Sequence, residues 1–303
     1  MNLQKIKRQH YVWRHYLRPW SNNEQIHCLM DGRTFKSNLM GIAQEKYFYK
    51  LRELGQAEIE FLQGIIALDN RPVIRQINMG WIEFFGKVFE IRDMFNSRKI
   101  QHDELDRLFD ILICNYEEQF QGKIEAEGIK YLEALYKKDL SFLDDDDELI
   151  QFLFFVCQQY MRTEAIKSSV LKSLKGYKGL DVESIWTVLR HIQATSMGFS
   201  LYQDRKKYRV VLIENESSLP FITGDQPIVN TCALSTPEGE APEELELYYP
   251  LSPELALLLT EKESKPFKVI SSDDDVASLN NHIVTQSSKQ VFASEIDILE
   301  ALI

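Results

Sequence analysis

Ten residues near the start of the chain, Gln9-His10-Tyr11-Val12-Trp13-Arg14-His15-Tyr16-Leu17-Arg18, hold two histidines, two arginines and four aromatic or amide side chains. Imidazole carries protons near neutral pH, and a guanidinium at Arg14 or Arg18 can neutralise an anionic substrate or a phosphoryl oxygen. The stretch therefore reads as part of a site. Its competitor is an N-terminal strand pinned by its rings, in which His10 is a packed, hydrogen-bonded core residue.

Other patterns that could do chemistry are weaker. Asp144 to Asp147 with Glu148 would suit a divalent cation, but the run directly precedes Leu149, Phe152, Leu153, Val156 and Tyr160. Carboxylates are favoured at a helix N-terminus, so a capping role is the leading reading. Asp225 together with Glu263-Ser264-Lys265, which follows the apolar strand-like run Leu255 to Thr260, could be read as the acidic and Glu-x-Lys parts of a metal-dependent nuclease core. Pro266 follows at once, which marks an exposed charged turn between two strands. Ser252 lacks a Gly-x-Ser-x-Gly elbow, and Gly176-Tyr177-Lys178-Gly179 matches no phosphate-binding loop. HExxH, Walker and GxGxxG patterns are absent from the sequence.

The elements that would position these groups follow from periodicity. Asp31-Gly32 between short apolar runs predicts a tight hairpin. Ile74, Ile77, Trp81, Phe84, Val88, Ile91 and Phe95 step by three or four residues and predict one long amphipathic helix. Leu105, Leu108, Leu112 and Tyr116 predict a second, with Asp103 near its start, and Ile185 to Phe199 predict another. Past Tyr208 the pattern becomes extended: Tyr208 to Ile213, Phe221 to Val229 around a Gly-Asp-Gln-Pro turn, and alternating Leu245, Leu247 and Tyr249. Pro250-Leu251-Ser252-Pro253 reads as a strand end followed by a helix start, with Ser252 as cap. Asp273 to Asp275 then open a late helix through Val276, Leu279 and Ile283. The fold class is α+β: a predominantly helical middle region, a small N-terminal hairpin, and a C-terminal mixed or antiparallel sheet. No repeat or linker divides residues 1–303, so one unit is expected, with an N-terminal motif and hairpin over 1–50, helices over 51–204, and sheet plus late helix over 205–303.

Bulk properties narrow the function. At 303 residues, with 44% hydrophobic and 27% charged side chains, the composition is that of a globular protein. No apolar run approaches the ~20 residues of a membrane span, and no leader-like apolar segment follows Lys5, Lys7 and Arg8, so a cytoplasmic location without membrane attachment is expected. Cys28, Cys114, Cys157 and Cys232 lie far apart and suggest reduced thiols, with neither zinc cluster nor disulfide framework. The net charge of −11 opposes broad attachment to nucleic acid, leaving only local basic patches. These are the first twenty residues and the stretch containing Arg162, Lys167, Lys172, Lys175 and Lys178, the latter read as a solvated helix face.

Three segments together are similar to the family catalogued as domain of unknown function 4238. Its members look like QHYVPRFYLRNF near the start, TSDNPV in the later half and PLSP soon after. The counterparts here are Gln9 to Arg18, Thr223-Gly224-Asp225-Gln226-Pro227-Ile228, and Tyr249 to Pro253. Glu45-Lys46 and Asn280 with Gln286 are lesser matches. Trp13, His15, Pro19, Gly224 and Gln226 depart from the pattern, as do Ser287 and Lys289, which stand where relatives carry alanine and arginine. The resemblance implies a bacterial soluble protein and supplies no reaction.

With these positions marked, His10, Glu45 and Asp225 supply one proton carrier and two carboxylates. That is the minimum for general acid–base work, or for holding a divalent cation with waters. Gln9, Arg14, Arg18, Asn280 and Gln286 are the binding candidates around them. The expectation is a hydrolase- or nuclease-type effector in defence against phage, with the three residues meeting in one cleft. The alternative is a non-catalytic recognition module for a peptide, nucleotide or partner protein. In a third reading the shared motifs only tie the N-terminus to the C-terminal sheet.

Overall fold

The computed structural model describes residues 4–98, 102–235, 242 and 244–303. The first fifty residues form β1 (Arg8–His10), a single helical turn α1 (Arg14–Leu17), β2 (Gln25–Met30), β3 (Arg33–Asn38) and β4 (Gln44–Lys46). Asp31 and Gly32 join β2 to β3 with φ of 51° and 68°, the positive values a two-residue hairpin turn demands.

Six helices follow: α2 (Gln56–Ala67), α3 (Pro72–Ser97), α4 (Asp103–Tyr136), α5 (Asp146–Met161), α6 (Glu164–Leu174) and α7 (Val182–Gln203). The apolar stripe from Ile74 falls on α3, which Pro72 opens from a position where no backbone donor is needed. The helix expected around Leu105 is far longer than its apolar repeat, running 34 residues to Tyr136. Asp145 caps α5, accepting the amides of Asp147 and Glu148 at 2.9 and 3.0 Å, so the acidic run is a helix start.

The C-terminal part holds β5 (Arg209–Asn215), β6 (Thr223–Gly224), β7 (Val229–Asn230), β8 (Leu247–Ser252), β9 (Leu255–Thr260), β10 (Phe267–Ile270), α8 (Asp273–Gln286), β11 (Gln290–Ala293) and α9 (Ile296–Glu300). One sheet has the order β10-β5-β9-β8-β7, antiparallel except for β10 beside β5. A second has the order β3-β2-β11-β6, so the N-terminal hairpin is half of a sheet completed by C-terminal strands, and β1 pairs antiparallel with β4 in a third, two-stranded one. The fold is α+β, with a helical middle and a mixed C-terminal sheet. Among the described residues no helix is long and apolar enough to cross a membrane.

Two sequence expectations need correction. Pro250 to Pro253 does not start a helix: β8 turns directly into β9, with Ser252 Oγ accepting the Glu254 amide at 3.1 Å. A proline after a small hydroxyl residue serves this tight turn as well as a helix start, and the β-rich run Leu255 to Thr260 decides between them. The basic stretch from 162 to 178 is not a uniform solvated face either. Lys172, Lys175 and Lys178 are exposed, but Arg162 is only 1% exposed.

The N-terminal motif is where helices and sheets meet. The largest apolar cluster combines Tyr11, Val12, Tyr16, Leu17 and Trp20 with residues of α4 and α5 and with β8 and β9. Tyr16 shares a hydrogen bond with Thr223 at 2.7 Å and donates to the Pro250 carbonyl at 2.8 Å, while Trp20 Nε1 donates to the Phe221 carbonyl at 2.8 Å. Gln9, fully buried, faces the other way. Its Nε2 donates to the Cys114 carbonyl on α4 at 2.7 Å, and its Oε1 accepts the Tyr49 amide at 2.6 Å. A buried polar side chain is costly unless satisfied, so these bonds fix the strand's position between the two halves.

Candidate active site

On α4, Glu118, Gly122, Glu125, Ala126 and Ile129 recur at intervals of three and four residues and so share one face. Small residues at 122 and 126 leave room there, and the N-terminal motif lies across the gap. His10, Trp13, Arg14 and His15 complete a cleft of about 320 Å3. Trp13 is held by edge-on contact with Phe155 at 5.9 Å and stacks on His15 at 5.3 Å.

Two titratable groups in this cleft are displaced in opposite directions. Burial pushes the Glu118 carboxyl up to about 7, opposed by Arg162 and assisted by Glu125. Burial pushes the His10 imidazole down to about 4, helped by the charges of Arg14 and Arg162, while the Ile42 backbone pulls the other way. Each has a buried atom with no hydrogen-bond partner in the structure, Glu118 Oε2 and His10 Nδ1, and Arg14 Nε is a third. Both shifts have burial as their first cause, which disfavours the charged form of a carboxyl and of an imidazole alike.

Arg162 is the side chain that assembles the cleft from behind. Its Nη2 donates to the His10 carbonyl at 2.8 Å, its Nη1 to Glu125 Oε1 at 2.6 Å, and its Nε to the Tyr49 hydroxyl at 2.9 Å. The Tyr49 ring lies 5.6 Å from the Arg162 guanidinium and 4.9 Å from that of Arg190. Deeper in the bundle Arg190 pairs with Glu117, and His191 Nε2 donates to the same Glu117 oxygen at 3.1 Å. Burial and the two arginines hold His191 far below the usual imidazole range, so it is neutral there. All three of these side chains are sealed from solvent.

The sequence candidates are distributed otherwise than expected. His10 and Arg14 line the cleft; Glu45 and Asp225 do not. Glu45 is exposed on β4 opposite Gln9. Asp225 is fully buried, and its carboxylate accepts the amides of Ser288, Lys289 and Gln290 at 2.7, 2.8 and 3.0 Å. Burial lifts its carboxyl to about 6 against those three donors. The charges of Asp225 and Glu45 fall on Tyr11, whereas His10, next along the strand, is under Arg14 and Arg162. Gly224 is required beside Asp225, because a Cβ there would run into the Ser287 hydroxyl and lie 3.2 Å from the Gln290 carbonyl.

Arg14 and Arg18 both reach Glu24, at 2.8 and 3.0 Å. Asn280 accepts the Ile222 amide and donates to the Pro220 carbonyl, each at 3.0 Å. Gln286 donates to the Asn230 carbonyl at 3.0 Å. Gln9 thus clamps backbone of α4 and of Tyr49, while Asp225, Asn280 and Gln286 clamp backbone within the C-terminal part. Among the described residues no three His, Cys, Asp or Glu side chains are grouped to hold a metal ion, so His10, Glu45 and Asp225 do not form one such set.

The family model described as protein of unknown function, DUF4238, matches residues 8–297. The chain belongs to that family. Searches of curated proteins and of solved structures returned no match.

Proposed function

We propose that the chain is a hydrolytic enzyme whose reaction takes place in the cleft between α4 and the N-terminal motif, with Glu118 as the general base and acid. The supporting observation is the pair Glu118 and His10: both line one small cleft, both keep an unpartnered buried atom, and their proton affinities are shifted in opposite senses. A carboxyl held near 7 can take a proton from water at neutral pH and return it, which is the condition for efficient acid–base work. In this reading Glu118 accepts a proton as the water oxygen bonds to an acyl or phosphoryl centre. The bond to the leaving group breaks, and the proton passes from Glu118 to that leaving group. Neutral His10 accepts a hydrogen bond at Nδ1 and orients the water or the substrate. Arg14 faces the negative charge that develops. Arg162 is a positioning residue, acting through the His10 backbone and Glu125.

The test is hydrolysis of chromogenic acyl and phosphoryl esters by wild type, Glu118→Gln and His10→Asn, with folded protein measured in parallel. Supporting the proposal, rates for one ester class rise with pH through about 7 and fall at least about a hundredfold in Glu118→Gln. Equal rates in wild type and Glu118→Gln across all esters would remove it.

A further inference from the structure

A second and larger cavity, about 700 Å3, opens between the helical region and the five-stranded sheet. Its walls are apolar: Leu149 and Leu153 of α5, Leu201 of α7, Val210 of β5, Leu259 of β9 and Phe267 of β10. None of these residues lines the cleft of Glu118 and His10. The volume lies within the range of about 300–1,000 Å3 typical of small-molecule sites, which are likewise apolar with a few placed polar groups.

The polar groups sit at the mouth. Arg205 and Arg209 come from Arg205-Lys206-Lys207-Tyr208-Arg209, a concentration of cations unusual in a chain of net charge −11. Asp144 and Asp146 face them, and one ion pair spans the mouth, Arg205 Nε to Asp146 Oδ1 at 3.2 Å. Both guanidiniums are fixed by backbone carbonyls. Arg205 Nη1 donates to Tyr202 at 3.1 Å, and Arg209 Nη1 donates to Lys206 and Tyr208 at 2.7 and 3.2 Å. Their acidic partners are loosely held by comparison: Asp146 is 65% exposed and Glu263, 3.2 Å from Arg209, is 89% exposed. Such exposed pairs contribute little in water. Asp146 also keeps a favourable position without Arg205, because it lies in the first turn of α5.

We propose that this cavity binds a small amphipathic anion, an aliphatic chain ending in one carboxylate. The chain fills the apolar space, and the carboxylate displaces Asp146 from Arg205 and bridges to Arg209. Guanidinium suits this exchange, since its planar fork matches a carboxylate in two-point contact. An amine head group would have to leave both arginines facing a like charge.

Calorimetric titration of the full chain with decanoate, decanol and decylamine at fixed ionic strength tests the assignment. Decanoate is expected to bind saturably at one site, with decanol at least about tenfold weaker and decylamine weaker again. The exposed double substitution Arg205→Gln with Arg209→Gln should bring decanoate down to the level of decanol and leave decanol unchanged. Leu153→Trp, which fills the space, should abolish both. Equal affinity for decanoate and decanol, tighter binding of decylamine, unchanged decanoate binding in the double variant, or no saturable binding by the wild type would each overturn the proposal.

Discussion

The guanidinium of Arg162 donates to the carbonyl of His10 at 2.8 Å while the imidazole of the same histidine lines the cleft. One residue is thus held through its backbone so that its side chain can present an unpartnered nitrogen. The cation doing the holding comes from the end of α5, and it is saturated: Tyr49, Glu125 and His10 take its three nitrogens. A buried charge is tolerated only with partners of this kind. Here the partners also fix the wall of the cleft, so packing and site geometry rest on the same bonds.

Replacement of Arg162 by Met should therefore destabilise the fold by about 3 kcal/mol, because it leaves the Tyr49 hydroxyl and Glu125 without that donor and the His10 carbonyl with only the Tyr49 hydroxyl at 3.4 Å. Lysine should recover only part of this, lacking the planar fork that serves three partners. Urea unfolding measures the loss. An NMR titration of His10 gives a second readout: removing the nearby positive charge should raise its imidazole pKa from about 4 toward the ordinary value. Unchanged His10 titration in a folded Arg162→Met protein would contradict the electrostatic link.

Stability should depend on pH through Glu118 and His10 with opposite signs. Glu118 is held at about 7 instead of 4.5, so between those values the folded chain keeps a proton that the unfolded chain has released. Its contribution therefore declines as pH rises from about 4.5 to 7. His10 is held at about 4 instead of 6.5, so the unfolded chain binds the extra proton and the contribution grows as pH rises over that window. Glu118→Gln should remove the first effect: relative to this variant, wild type should lose about 2 kcal/mol between pH 4.5 and 7. His10→Asn should show the reverse difference between pH 4 and 6.5. Denaturant unfolding at a series of pH values measures both, and parallel curves for wild type and Glu118→Gln would place the carboxyl in an ordinary aqueous setting.

The parts of this molecule that were readable in sequence are those governed by neighbours along the chain. Asp31-Gly32 needs only two positive φ angles, the α3 stripe only a period, and Asp145 only its own amides two and three residues on. The site was readable only at its N-terminal wall. His10 and Arg14 stood out by type, but the opposing wall is a polar face of α4 whose spacing, Glu118-Gly122-Glu125-Ala126, invites no apolar template. Burial of Arg162 and Arg190 was invisible because each charge finds its acid far away in sequence, 37 residues for Glu125 and 73 for Glu117. Asp225 stayed open between a site role and a structural one for a related reason. A carboxylate beside a turn has the same sequence whether it faces substrate or, as here, three amides from residues 288–290.

Asp225→Ala should cost about 3 kcal/mol, since it strands three amide donors at a fully buried position. Asp225→Asn should regain less than half, because its one remaining acceptor oxygen is joined by an NH2 group facing the same donors. Any activity of the cleft, expressed per folded molecule, should be unchanged in both variants. Thermal unfolding and a rate normalised to folded protein decide the matter. A variant that unfolds like wild type yet has lost its activity would return Asp225 to the reacting centre.

Gly128 offers the most direct test of how α4 meets α5. A Cβ at this position would overlap the ring of Phe155, which is only 3% exposed and packs edge-on to Trp13 at the cleft. Either the buried ring or the helix must shift to admit the methyl, so Gly128→Ala should destabilise the protein by about 2 kcal/mol or more through overpacking. Phe155→Leu alone should cost about 1 kcal/mol for the lost ring contacts. In the double variant the added methyl occupies space the ring has vacated, and the two effects should fall short of their sum by at least about 1 kcal/mol. The four unfolding free energies complete a double-mutant cycle. Simple additivity would mean that the helices part at Gly128 rather than that Phe155 gives way, and Trp13 would then keep its place while α4 moved away from His10.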